Sequence, residues 1–139
     1  MSMRERLIGT WLLVSQHTQY PDGRVVVTRG DAPRGVLMYD ALGNMTVQLM
    51  RTDARAGDYT DLAQIRTAME GYHAYFGTWD VDEAAGVVRH HVIGAAYAPY
   101  RGTTQIRYFA LDDERLTLRV EAETETRLLV WQRAARAMG

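Results

Sequence analysis

The feature that most constrains the fold of this chain is a succession of short segments in which apolar and polar residues alternate with the period of two typical of β-strands. Turn-forming residues separate them, such as Pro21-Asp22-Gly23 and Asp112-Asp113-Glu114. Many short strands joined by tight turns favour an antiparallel sandwich or barrel. We therefore expect an all-β fold with strands at 10–18, 24–29, 34–40, 44–51, 74–81, 86–93, 103–111, 115–121 and 127–133.

Two segments depart from this alternation. Ser2 and Glu5 have the spacing of a capping box, which predicts a short helical turn over residues 3–8. Asp61 can cap a second helix that ends at Gly71 and Tyr72. Its apolar residues then share one face: Leu62, Ile65, Met69 and Tyr72. Such a helix covers a barrel opening or flank, and a packing helix without a gating role is the alternative.

The length and composition exclude several classes of function. A chain of 139 residues fits a single domain, 1–139, and a net charge of −1 does not suit nucleic-acid binding. The absence of cysteine excludes disulfides, thiol nucleophiles and cysteine-ligated metals. We see no signal peptide and no apolar run long enough to span a bilayer, so we expect a cytoplasmic protein with no membrane partner.

The charged residues indicate which face of each strand points inward. Asp80 and Arg89 belong outside a small barrel, which leaves the opposite parity of their strands for the interior. Those inward positions are Tyr75, Gly77, Trp79 and Val81 on one strand, and Val88, His90 and Val92 on the next.

The hairpin from Phe109 to Leu118 contains the most informative conflict. Its leucines predict a core in phase with Phe109, and the same parity turns Arg107 and Gln105 inward. A buried arginine is costly unless it meets a carboxylate, a cluster of dipoles or a ligand anion. An internal salt bridge or a different strand register is the alternative explanation.

The strands at 34–40 and 44–51 are apolar on both faces, so their parity is ambiguous. A bulged turn at Gly43 groups Leu37, Tyr39, Met45 and Val47, and leaves Gln48 on the other face. If both faces are buried, one packs on a second subunit, and the sequence therefore leaves a homodimer open.

Two motifs at opposite ends of the chain resemble a known arrangement. Gly9-Thr10-Trp11 opens the first strand, and Trp131-Gln132-Arg133 closes the last. This resembles the lipocalins, in which an arginine from the final strand covers the Gly-x-Trp tryptophan and seals one end of the barrel. A cation stacked on an indole contributes about 0.5–2 kcal/mol.

The chain resembles more closely the lipocalin-like domain family of small bacterial and fungal barrels, nearly from end to end. The resemblance implies an antiparallel up-and-down β-barrel of 8–10 strands with one short covering helix. It also implies binding of small organic molecules, and similar barrels act as cofactor-free cyclases or isomerases. The motifs that carry it are Leu7-Ile8-Gly9-Thr10-Trp11, Gly35-Val36-Leu37-Met38-Tyr39, Gly43-Asn44-Met45, Gln48, Tyr75-Phe76-Gly77, His90-His91, Gly102-Thr103-Thr104-Gln105-Ile106-Arg107-Tyr108-Phe109, Leu116-Thr117-Leu118 and Leu129-Val130-Trp131-Gln132-Arg133.

The candidate site residues follow from these parities. His90 is a candidate for proton transfer, and Arg107 with Gln105 can bind an oxyanion. Each of these side chains can instead be a hydrogen-bonded core residue. The candidate ligand-binding residues are Tyr39, Gln48, Tyr75, Trp79, Gln105, Phe109, Tyr97 and Tyr100, the last two in a loop at the barrel rim.

No metal or cofactor site is expected. His90 and His91 are adjacent on a strand and point to opposite faces, so they do not chelate one ion. There is no glycine-rich phosphate loop, dinucleotide-binding fingerprint or nucleophile elbow.

Three hypotheses for function remain. The first is a barrel that binds a small apolar or amphipathic molecule that is polyketide-like, terpenoid or fatty-acid-like. The second is a cofactor-independent cyclase, isomerase or dehydratase in which His90 transfers protons, while Arg107 and Gln105 stabilise an oxyanion. The third is a structural module whose own side chains fill the barrel.

Overall fold

The protein is a closed antiparallel β-barrel, seen in a computed structural model that describes residues 1–53 and 61–138. The helices are α1 (Met3–Leu7) and α2 (Leu62–Gly71), and a short 3-10 turn spans Ala98–Tyr100. The strands are β1 (Gly9–Gln19), β2 (Val25–Val27), β3 (Arg34–Tyr39), β4 (Asn44–Met50), β5 (Tyr72–Asp82), β6 (Val87–Ala95), β7 (Thr104–Leu111), β8 (Arg115–Glu121) and β9 (Thr126–Arg133).

The strand order confirms the predicted up-and-down barrel. From β3 to β9 each strand pairs antiparallel with the next. Strand β1 pairs with β3 on one edge and with β9 on the other, which closes eight of the described strands into a ring. Strand β2 extends the ring by pairing with the far end of β1, from His17 to Gln19.

Both predicted helices are present with their predicted caps. The Ser2 hydroxyl accepts a hydrogen bond from the Glu5 amide at 3.1 Å, and Asp61 accepts one from the Ala63 amide at 2.7 Å. Helix α2 ends at Gly71 and leads directly into β5, so β5 begins two residues earlier than the alternation predicts. Among the described residues, no helix is long and apolar enough to cross a bilayer.

Two glycines permit the sharp features of the sheet. Gly43 has a φ of 97° in the turn between β3 and β4, where its amide donates to the Asp40 carbonyl at 3.3 Å. Gly77 lies at the bulge between β5 and β6, where a Cβ atom would overlap the carbonyl oxygen of His91. Bulges of this kind increase the local bend that closes a barrel.

The packed core lies at one end of the barrel, which we call the sealed end. Trp11 has no exposed surface, and its indole nitrogen donates to the Leu7 carbonyl at 3.0 Å. The Arg133 guanidinium lies 4.2 Å from the Trp11 ring centroid and donates to the backbone carbonyls of Ile8 and Arg6. Helix α1 caps this end, and its Leu7 is fully buried.

The inward parity predicted for β5 and β6 agrees with the burial of both strands. Val88, His90 and Val92 are buried, whereas Arg89 and His91 lie on the outside, where both contact Asp80. The predicted grouping of Leu37, Tyr39, Met45 and Val47 is also buried.

The outer face of β3 and β4 resolves the ambiguity that the sequence left open. Met38 and Met50 are 39% and 37% exposed, so this face is not covered within the described protomer. A homodimer through this face stays a prediction from the sequence, as does the cytoplasmic location.

Candidate functional site

A cavity of about 1200 Å³ occupies the barrel beyond the sealed end. Its strand walls are mainly apolar, and α2 and the Tyr97–Tyr100 segment bound it on the remaining side. The volume contradicts the hypothesis of a barrel filled by its own side chains. The apolar lining residues include Leu37, Val47, Leu49, Leu62, Ile65, Met69, Leu118, Val120 and Leu129.

The His90 imidazole lies on the cavity wall between two tyrosines. Its Nε2 atom is 2.6 Å from the Tyr39 hydroxyl, and its Nδ1 atom is 2.6 Å from the Tyr75 hydroxyl. The three residues come from β3, β6 and β5, and all three are at least 95% buried. They form a hydrogen-bonded chain that we call the Tyr39–His90–Tyr75 chain.

All three members of the chain are neutral near pH 7. Burial lowers the pKa of His90 well below its ordinary value of 6.5, and the positive charge of Arg107 acts in the same direction. Burial also raises the pKa of Tyr39 and of Tyr75 above 10, although Arg107 opposes the rise. A neutral imidazole has one N–H donor and one acceptor, so one tyrosine donates to it and the other accepts from it.

Arg107 also lines the cavity, and its position agrees with the inward parity predicted for β7. It is 8% exposed, and its guanidinium donates to the carbonyl of Ile106 at 3.1 Å. No carboxylate among the described residues lies within 4.0 Å of it. The internal salt bridge considered as an alternative is therefore not formed within that part of the chain.

The Trp131 ring lines the cavity, but its indole nitrogen is buried within the wall. The residue is 1% exposed, and its indole nitrogen has no hydrogen-bond partner among the described residues. Buried N–H groups are nearly always paired, and an unpaired one costs about 1–3 kcal/mol.

Further arginines make the cavity electropositive. Arg29 and Arg127 line it together with Arg107, and the charges of all three reach His73. Burial is the largest cause that lowers the His73 pKa, and these arginines lower it further, to about 4. Glu70 on α2 is the one carboxylate among the described lining residues.

Aromatic rings form the rim near the 3-10 turn. The Tyr100 ring centroid lies 5.4 Å from that of Tyr97 and 5.4 Å from that of His73, in both cases edge to face. Tyr75 lies 6.1 Å from Tyr100 and joins this rim to the chain at His90. The predicted rim residues Tyr97 and Tyr100 therefore do line the cavity.

The other predicted ligand-binding residues lie elsewhere. Gln48 is on the outer face, because Val47 and Leu49 on either side of it point inward, and it accepts a hydrogen bond from Tyr72. Trp79 packs against Tyr39 at 4.6 Å and donates to the Asp40 carbonyl at 3.1 Å. Gln48 therefore does not line the described cavity.

Gln105, Phe109 and Tyr39 also lie away from the described lining. The Gln105 amide donates to the Thr103 hydroxyl at 2.8 Å, and Phe109 packs against the core. Tyr39 lies behind His90 and reaches the cavity only through it.

The sequence reasoning missed His73, Arg29, Arg127 and the free donor of Trp131. The run Leu128-Leu129-Val130-Trp131 in β9 is apolar on both faces, so alternation gave no signal for which of these residues line the cavity. Among the described residues, no group of three or more His, Asp or Glu side chains could hold a metal ion.

A closed antiparallel barrel with one sealed end and a hollow interior defines the lipocalin class of folds. The family model for the lipocalin-like domain matches residues 8–134. The chain belongs to this lipocalin-like domain family. No curated protein sequence matches the chain.

Solved structures similar to the chain include designed barrels. A de novo designed fluorescence-activating β-barrel has a TM-score of 0.48 and 11% identity, over 96% of this chain and 99% of that chain. A redesigned β-barrel, mFAP1, bound to DFHBI, has a TM-score of 0.47 and 13% identity, over 94% of this chain and 97% of that chain.

Proposed function

We propose that the protein binds one small amphipathic organic molecule inside the barrel. The observation that carries this proposal is the cavity of about 1200 Å³, whose walls are apolar except for a few convergent polar groups. Ligand sites in proteins have this composition, and typical volumes are about 300–1,000 Å³. A polyketide-like, terpenoid or fatty-acid-like molecule has a suitable size and polarity.

The test is a titration with N-phenyl-1-naphthylamine, a neutral apolar dye that fluoresces when it leaves water. We expect saturable binding by the native protein and its loss in Leu129→Trp, because the larger ring fills part of the cavity. Ile106→Trp is the matched control, since Ile106 is 41% exposed on the outer face of β7. Saturable binding that survives Leu129→Trp, or no binding at all, would contradict the proposal.

A cofactor-independent cyclase, isomerase or dehydratase is the second candidate, and the Tyr39–His90–Tyr75 chain favours it. Proton transfer through this chain would deliver or remove a proton at the cavity wall, beside Arg107. The bond from Gln105 to Thr103 removes Gln105 from that role. The binding function ranks first because the lowered pKa of His90 makes its imidazole a weak base.

Deuterium exchange separates the two functions. A 1,3-diketone such as 2-acetyl-1-tetralone has an acidic C–H bond, and its exchange in deuterated water is followed by NMR. An enzyme accelerates this exchange above the buffer rate, and His90→Gln removes the acceleration. A protein that only binds leaves the rate at that of the buffer.

A further inference from the structure

Among the described lining residues, Arg107 is the one buried arginine, and it has no carboxylate or amide partner there. Arg127 forms an ion pair with Glu125 at 3.2 Å. Arg29 donates to the Gln16 carboxamide at 2.9 Å and to the Gly71 carbonyl at 3.3 Å. Arg107 donates to the Ile106 carbonyl and interacts with the Tyr75 hydroxyl, which leaves most of its five N–H donors for another acceptor.

The hydrogen bonds of the Tyr39–His90–Tyr75 chain run in one direction, with Tyr39 as the first donor and Tyr75 as the last. Among the described residues, the Tyr39 hydroxyl contacts only His90 Nε2, and unlike Tyr75 it does not line the cavity, where another acceptor could reach it. The proton of a buried hydroxyl requires an acceptor, so Tyr39 donates to Nε2 and the imidazole carries its own proton on Nδ1. His90 then donates to the Tyr75 oxygen. The Tyr75 O–H is left to donate to an acceptor in the cavity.

The polar groups that face the cavity are therefore mostly donors. Arg107 and Tyr75 lie on its wall, and each keeps at least one proton without an acceptor among the described residues. Water can satisfy one such group, but a guanidinium removed from bulk solvent is best stabilised by an anion. The apolar walls beside these donors favour an anion with a large apolar part over a small inorganic ion.

We propose that the ligand of the cavity is an organic anion whose charged oxygen, a carboxylate or an enolate, binds between Arg107 and the Tyr75 hydroxyl. The apolar part of the molecule lies against the leucines and valines of the wall. This inference rests on the proposed function and specifies its ligand class.

Two dyes that differ by one anionic group measure how much the charge of the ligand contributes to binding. 1-Anilinonaphthalene-8-sulfonate has the ring system of N-phenyl-1-naphthylamine with an added anionic group. We expect the native protein to bind the sulfonate about 30-fold more tightly, since truncating one partner of a buried charge pair has effects of this size or larger. Dodecanoate should likewise displace the neutral dye at a lower concentration than 1-dodecanol does.

Arg107→Gln should reduce the preference for both anions to about threefold or less, while the neutral dye binds as before. Arg119→Gln is the matched control, because Arg119 is exposed, forms an ion pair with Glu121, and carries the same charge on the outer face. Tyr75→Phe keeps the cavity charge and removes only the hydroxyl. It should weaken sulfonate binding by about tenfold, which tests the site even if Arg107→Gln does not fold.

The outcomes separate the two proposals. If neither dye binds, the proposed function fails, and the anion site fails with it. If the neutral dye binds and the anions show no preference, only the anion site is overturned. The same conclusion follows if the preference survives both Arg107→Gln and Tyr75→Phe.

Discussion

The two ends of the barrel use the same residue types differently. At the sealed end, Arg133 lies over Trp11, and both side chains donate to backbone carbonyls at the C-terminal end of α1. In the cavity, Arg107 is 8% exposed and donates to one backbone carbonyl, and the Trp131 indole nitrogen, which is buried within the wall, has no described partner. Satisfied donors stabilise a fold, whereas unsatisfied donors beside empty volume indicate a ligand site.

The largest expected loss of stability comes from a substitution at the sealed end. Trp11→Ala removes a fully buried ring and the base on which Arg133 stacks, so we expect a loss of about 3–5 kcal/mol in the free energy of unfolding. Urea denaturation followed by circular dichroism measures it. Ile93→Ala is the control, because Ile93 is 63% exposed and should cost less than about 1 kcal/mol. Equal losses would mean that this end is not the packed core.

Substitutions of Arg133 and of Arg107 should change the free energy of unfolding in different ways. Arg133→Met loses the stacking and the carbonyl hydrogen bonds, which should cost about 1–2 kcal/mol. Arg107→Met removes a buried charge that has no carboxylate partner in the described residues. It should leave the stability unchanged or raise it by about 1–2 kcal/mol. A large loss of stability in Arg107→Met would show that Arg107 is a structural residue like Arg133.

Acid should lower the stability of the folded protein, because His73 in the cavity wall has a lowered pKa. Its pKa is about 4 in the folded protein and near 6.5 when unfolded, so the unfolded chain binds the proton more readily between these values. Stability is therefore complete above pH 6.5 and is lost as the pH falls from 6.5 towards 4. After allowance for partial exposure, the loss is about 1 kcal/mol.

His73→Asn tests this acid effect. Its free energy of unfolding, measured in urea at pH 7 and at pH 4.5, should change less between the two values than that of the native protein. His90 also has a lowered pKa, so the variant retains part of the change of stability with pH. An unchanged slope would show that His73 does not carry the effect.

Most of the fold is predictable from local features of the sequence. The period of two predicts the strands, Gly43 marks the bulged turn, and the leucines near Arg107 fix the inward parity of that arginine. These signals are local, because alternation and turn chemistry act over a few residues.

The interior of the site is not predictable in the same way. The Tyr39–His90–Tyr75 chain depends on the registers that join β3, β4, β5 and β6, and no local pattern specifies hydrogen bonds across a barrel. The free indole of Trp131 is likewise defined by what surrounds it. A sequence motif can place both tryptophans, but it does not distinguish the one with a partner from the one without.

The smallest expected effects come from the two glutamines that the sequence predicts as ligand residues. Gln48 is bonded to Tyr72 on the outer face, and the Gln105 amide is bonded to Thr103. Because neither faces the described lining of the cavity, Gln48→Ala and Gln105→Ala should change the affinity for 1-anilinonaphthalene-8-sulfonate by less than about twofold, or 0.5 kcal/mol. A tenfold loss in either variant would mean that satisfied polar groups also recognise the ligand. The distinction between satisfied and unsatisfied donors would then not identify the site.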